Sequence, residues 1–487
     1  MSEKGCPIQQ QAEVNPGAVA VMAGDLFWSY HELNNRITRM ASDLLDLGLK
    51  QGDVLLAAGA NSPMLVVLIF ACLRAGIIIV PVNPAFPRAR LRGIAEEIGA
   101  RAFWSESGEP YSEWQGDIRL PTNLAHIQLG HIQGELTAFH WDEQRICNLV
   151  MTSGSSGFPK AAAFNFSCHR ASARASAGII SLEPNDGWLL SLPLYHIGGL
   201  AILFRCVLAG AQVVFPDHRR QLTQTLVRRK VTHLSLVNTQ LYRLLETVEF
   251  SFQETSVKTL LVGGGYVSAD VAERCRKQGV RLLTTYGMTE TSSQVCTGEP
   301  LFLEVGALTS GQPLGNVEIK LTEDGEITFR GPSLFKGYWS KGALRLPLTE
   351  GGWFLTGDRG HWVDGHLQVA GRCDSQFISG GENIQPETIE RALLGREEIY
   401  RAVVVPLFCQ EFGQRPVAFI DCKKEDFYPL LWSRHLRDLL PGFMVPDHFL
   451  PWPCEQKESG LKVSRVTMAE TAGQILSCLN TGHQGRE

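Results

Sequence analysis

Apolar residues recur along this chain in two alternating rhythms. Ser29 and Glu32 stand three apart, the spacing of a capping box, and Leu33, Ile37, Met40 and Leu44 follow at helical intervals, with Gly48 where a C-terminal cap belongs. An unbroken apolar run at 54–58 then reads as a buried strand. The alternation continues with strand 211–215, helix 221–228, strand 233–237, helix 240–245 and strand 258–262. Strands separated by helices pair in parallel, and the helices cover the sheet.

From about residue 325 the texture changes to Gly-rich short strands, at 326–329 and 367–369. After Asp374 a smaller unit begins, with strands at 402–406 and 417–421. The expected architecture is α/β. A large N-terminal domain, 1–373, holds parallel-rich sheets covered by helices plus a β-rich subdomain; a small α+β C-terminal domain spans 374–487. The stretch 65–82 is apolar enough to suggest a membrane span. Arg74 and Gly76 divide it and Pro81 closes it, so it reads instead as a buried helix at 65–73, a turn and a strand at 77–80.

Composition narrows the class. The chain has 487 residues, 44% hydrophobic and 20% charged, ordinary proportions for a globular protein with more than one domain. A net charge of -5 gives no electrostatic case for nucleic acid, and no Lys/Arg-rich block suggests an anionic membrane. Twelve cysteines without a Cys-x-x-Cys pair argue against structural zinc. Free thiols and a polar N-terminus lead to the expectation of a cytoplasmic protein. A homo-oligomer is left open.

The most specific chemistry lies in Thr152-Ser153-Gly154-Ser155-Ser156-Gly157-Phe158-Pro159-Lys160, directly after an apolar strand. Glycines let backbone N–H groups approach a phosphate, hydroxyls donate to its oxygens, and the lysine adds a point charge. ATP is therefore the first ligand to consider. The P-loop of kinases and ATPases needs Gly-Lys-Ser/Thr, whereas here Phe158 and Pro159 separate Gly157 from Lys160 and Ala161 follows.

This loop resembles the phosphate loop of the acyl-adenylate-forming enzymes, and further blocks match that family in order, from about residue 18 to 470. Leu194-Tyr195-His196-Ile197-Gly198 resembles the block whose histidine, His196, borders the acyl pocket. Gly263-Gly264-Gly265 matches the glycine turn placed against adenine and the acyl group. In Thr285-Tyr286-Gly287-Met288-Thr289-Glu290 the resemblance implies that Tyr286 stacks on adenine, Thr289 bonds the α-phosphate and Glu290 binds magnesium. Asp358 would accept the ribose hydroxyls beside Arg372, and Asp374 would be the hinge of a mobile C-terminal domain. Gly380 and Gly381 resemble the loop of the thioester step. Lys462, three before Arg465, resembles the catalytic lysine, with one residue more after Gly460 than the family usually has. Taken alone, His196 reads equally as a core histidine, Asp358 as a turn residue and Lys462 as a solvated lysine. Their joint order carries the resemblance.

The family's reaction joins a carboxylate to the α-phosphate of ATP, with Mg2+, and then passes the acyl group to a thiol such as coenzyme A. Amino-acid activators place an aspartate after the position of His196; Ile197 stands there, so an amino acid is disfavoured. An apolar helix at 199–210 carries a lone Arg205. Burying an unpaired guanidinium costs several kcal/mol. Arg205 is thus at an exposed edge, salt-bridged to the protein, or facing a bound anion. Residues 186–194, 235–241, 378–386 and 411–418 look like the o-succinylbenzoate–CoA ligase branch, which serves menaquinone biosynthesis and whose lysine block is also one residue longer. That resemblance implies an aromatic keto-diacid substrate, with Arg205, Ser235 and Ser333 lining its pocket. The rival expectations are a CoA ligase for another aryl or fatty acid, a luciferase-like oxygenase, and a non-catalytic adenylate-binding relative.

Overall fold

The computed structural model describes residues 5–106, 118–120, 139–152, 159–217, 221–264, 267–301, 308–379, 382–409, 412–453 and 464–481. Ser153, Gly154, Ser155, Ser156, Gly157, Gly265, Gly380, Gly381 and Lys462 lie outside these residues.

The alternation of strands and helices produces two large sheets. One has nine strands, and five successive pairings through His233–Val237, Thr259–Gly263 and Arg281–Met288 are parallel. The other has eight, with Val54–Ala58 and Ile78–Val82 parallel neighbours near its centre. Every residue of those two strands is buried, as expected of a parallel sheet covered on both faces. A four-stranded antiparallel sheet follows, from Glu318–Leu321 to His366–Arg372. The last sheet joins Arg401–Cys409, Gly413–Asp421 and His448–Pro451.

Local rules hold where the sequence stated them. The Ser29 hydroxyl accepts from the Glu32 amide and the Glu32 carboxylate accepts from the Ser29 amide, closing the capping box of Tyr30–Asp46. The segment 65–82 is helix Pro63–Ala75, a left-handed Gly76 (φ 75°) and strand Ile78–Val82. That helix and Ile197–Ala209 are apolar on nearly every face and share one core cluster with residues of both large sheets. Among the described residues no helix is long and apolar enough to cross a membrane. Two other clusters, around Trp432 and Phe419, draw only on residues from 377 onward.

Candidate active site

Strands Ile146–Thr152 and Lys160–Asn165 are antiparallel neighbours, with Thr152 opposite Lys160. The Thr152 hydroxyl donates to the Lys160 carbonyl at 3.4 Å. Strand Gly337–Ser340 pairs on the other side of Lys160–Asn165. It brings the Tyr338 ring 5.0 Å beneath the Lys160 ammonium. The Tyr338 hydroxyl donates to Glu290 Oε1 at 2.8 Å. Glu290 is buried in the turn Thr289–Thr291, where Thr289 is half-buried beside it. The Met288 amide donates to the Thr291 hydroxyl at 3.0 Å, which fixes that turn. Gly287 is obligatory here, because a Cβ on it would lie 1.6 Å from the Ser293 carbonyl oxygen of the adjoining strand. Burial, and then the charge of Glu290, push the Tyr338 hydroxyl pKa upward, so it stays a donor.

The expected nucleotide residues meet directly. The Tyr286 hydroxyl donates to Asp358 Oδ2 at 2.7 Å, and Arg372 Nη1 donates to Asp358 Oδ1 at 3.1 Å. Asp358 lies on Phe354–Val363 and Arg372 ends His366–Arg372, where the two residues are register partners. Arg372 also donates from Nε and Nη2 to Asp374, at 3.1 and 3.2 Å. Burial alone would lower the Arg372 pKa; the bonds and charges of Asp374 and Asp358 outweigh it and raise the pKa. Burial, then Asp358, raises that of Tyr286. Gly264 follows strand Thr259–Gly263 in a left-handed conformation (φ 77°).

Of the residues expected to border the acyl group, His196 is exposed and stands at the N-cap position of helix Ile197–Ala209 without a side-chain capping bond. Asn61 pins the loop before it: its amide donates to the Leu192 carbonyl at 2.9 Å and its oxygen accepts from the Leu194 amide at 2.8 Å. Arg205 is 5% exposed, which removes the exposed-edge reading. Among the described residues no carboxylate forms a salt bridge with it. Nε donates to the Ser176 hydroxyl at 3.2 Å, and Nη2 is buried without a hydrogen-bond partner. Burial lowers its pKa to about 10. Its guanidinium carbon lies 5.6 Å from the Trp188 ring centroid, and Trp188 Nε1 donates to the Ser235 hydroxyl at 3.1 Å. Arg205 and Ser235 are thus linked through one indole. The Ser333 hydroxyl is buried and unpartnered, and its carbonyl accepts from Ser292 at 2.7 Å.

Sequence reasoning missed Tyr338, Trp188, Ser176 and Asn61. Trp188 stood inside a recognised phrase; the others carried no local signal.

The family described as AMP-binding enzyme matches residues 8–339. The Escherichia coli (strain K12) 2-succinylbenzoate–CoA ligase is 34% identical over 464 residues, covering 95% of this chain and 97% of that protein. A point variant of E. coli MenE with bound OSB-AMS superposes with a TM-score of 0.86 at 33% identity, over 97% of this chain and 99% of that one. The o-succinylbenzoate coenzyme A synthetase of Bacillus subtilis, in complex with ATP and magnesium ion, gives a TM-score of 0.81 at 28% identity, over 92% and 95%. This chain belongs to the AMP-binding enzyme family, whose fold and nucleotide residues define an acid-activating ligase. Within it, the branch is that of the 2-succinylbenzoate–CoA ligases.

Proposed function

We propose that the chain activates 2-succinylbenzoate with ATP as an acyl-AMP, releases pyrophosphate, and transfers the acyl group to coenzyme A. The observation that carries the substrate assignment is Arg205. A guanidinium buried in an apolar helix, with an unpartnered Nη2, suits a second carboxylate remote from the one activated. A fatty acid would leave it unpaired.

The chemistry asks for charge neutralisation and positioning, since two anions must approach each other. Lys160 and the loop after Thr152 suit the leaving pyrophosphate. Asp358 suits the ribose hydroxyls, held by Tyr286 and Arg372. Glu290 fits magnesium. It is a buried carboxylate oriented by Tyr338, and no cluster of three potential ligands occurs among the described residues. One carboxylate with phosphate oxygens is the usual way to hold this ion, which neutralises phosphate charge when bound. Lys462 is assigned to bridge the carboxylate and the α-phosphate, and no general base is required.

For the second half-reaction the unit after residue 373 is proposed to turn about Asp374, withdrawing Lys462 and bringing Gly380 and Gly381 to the thiol. Arg372 touches both Asp358 and Asp374, so the ribose site and the hinge share one side chain. A reducing, cytoplasmic setting accords with seven buried free cysteines among those described, from Cys6 to Cys296.

The test is product analysis. With ATP, magnesium and 2-succinylbenzoate the protein is expected to form enzyme-bound acyl-AMP, and on adding coenzyme A the free thioester. Acyl-AMP that coenzyme A cannot discharge would contradict the ligase reading.

A further inference from the structure

Arg205 has its Nε edge occupied by Ser176 and one face by Trp188. Ser176 stands on helix Phe166–Ile180, twenty-nine residues before it. Its hydroxyl donates its own proton to the Ala173 carbonyl at 3.0 Å, so only its lone pairs are left for Arg205 Nε at 3.2 Å. Trp188 covers a face of the guanidinium. The indole is itself held, by Nε1–H to Ser235 and by packing on the His233 ring, centroids 5.3 Å apart. His233 is fixed in turn by Thr232 at 2.9 Å and the Ile180 carbonyl at 3.1 Å.

A guanidinium can fork onto a carboxylate through Nε and one Nη, or through its two Nη groups. With Nε given to Ser176, the end-on edge is the one left, and it includes the unpartnered Nη2. The geometry points to Ser176 as a positioning residue that, with Trp188, turns Arg205 end-on to the remote carboxylate of the substrate and so sets the preference for a diacid over a monoacid. This rests on the reading of Arg205 as that carboxylate's partner. Ser176 touches no substrate; it acts through Arg205.

The experiment measures kcat/KM in the full-length protein for 2-succinylbenzoate and for its analogue lacking the ring carboxylate. Ser176→Ala is expected to lower kcat/KM for the diacid about tenfold, the effect of removing one hydrogen bond to a charged group, mostly through KM. The analogue and the KM for ATP are expected to be unchanged. Equal loss on both acids would make Ser176 structural, and no loss on the diacid would leave it without a role; either overturns the proposal. Arg205→Gln separates the underlying reading. It should erase the diacid preference. If that preference survives Arg205→Gln, the assignment of Arg205 fails; if it falls there but survives Ser176→Ala, only the role of Ser176 fails.

Discussion

The Tyr286 hydroxyl donates to the Asp358 carboxylate at 2.7 Å, joining the residue assigned to adenine to the one assigned to ribose. The bond links residues seventy-two positions apart and orients Asp358 before nucleotide arrives. A hydrogen bond to a charged group contributes about 1.5–3 kcal/mol. Tyr286→Phe keeps the ring but removes one of the two donors named on the carboxylate, leaving Arg372, so the KM for ATP should rise about tenfold with little change in the KM for acid. Steady-state kinetics with ATP varied at saturating acid checks this.

Tyr338 lies between Lys160 and Glu290, beneath one and bonded to the other. Tyr338→Phe retains the ring for Lys160 and removes the donor to Glu290. The magnesium concentration for half-maximal pyrophosphate release should increase several-fold, on the order of one lost hydrogen bond. Titration of magnesium at fixed ATP reads the shift; an unchanged titration would separate Tyr338 from the metal.

Lys462→Ala should abolish pyrophosphate release yet spare thioester formation from supplied acyl-AMP. Equal loss of the two half-reactions would contradict the turn about Asp374.

Arg465, at the start of helix Arg465–Thr481, donates to Glu390 at 2.5 and 2.9 Å, to Glu387 at 2.9 Å and to the Val404 carbonyl at 2.6 Å. Burial lifts the Glu390 pKa and Arg465 pulls it back. Removing one partner of a buried pair leaves an uncompensated charge and costs about 3–5 kcal/mol. Arg465→Ala should therefore lower the urea midpoint markedly, followed through amide hydrogen exchange in strands Arg401–Cys409 and Gly413–Asp421.

His169 packs against Phe204, centroids 4.4 Å apart, and meets Asn148 Oδ1 at 2.7 Å. Burial lowers its pKa from 6.5 to about 3. Between those values the unfolded chain binds a proton that the folded one refuses. Stability is therefore full above pH 6.5 and is lost as pH falls toward about 3, by up to about 1.4 kcal/mol per pH unit. His169→Gln should show a flatter dependence of the urea midpoint between pH 7 and 5. Parallel slopes would mean that His169 does not control it.

Elements with a strong local pattern were legible. The capping box at Ser29, the Gly76 turn and the strands at 54–58 and 233–237 fall where periodicity puts them. Helix Asn238–Leu245 begins two residues before its expected start, because the Gln240 side chain accepts from the Val237 amide and holds the first turn. Ala161, Ala162 and Ala163 favour helix by propensity, yet they lie in a strand between two partners, where small side chains are fully buried. At the site, motif order named Tyr286, Glu290, Asp358 and Arg372 without their geometry. Arg205 was visible as an anomaly, and its burial, its bond to Ser176 and its unpartnered Nη2 were not. Ser176, Tyr338 and Asn61 act across long sequence separations, as in Asn61 to Leu194, and no local pattern marks such contacts.

The most direct measurement is pyrophosphate release with ATP and magnesium across a panel of acids, with and without coenzyme A: 2-succinylbenzoate, benzoate, a medium-chain fatty acid and several amino acids. The account predicts strong turnover with 2-succinylbenzoate alone, and its conversion to a thioester when coenzyme A is present. Comparable turnover with benzoate or the fatty acid would contradict the role given to Arg205 and with it the diacid assignment.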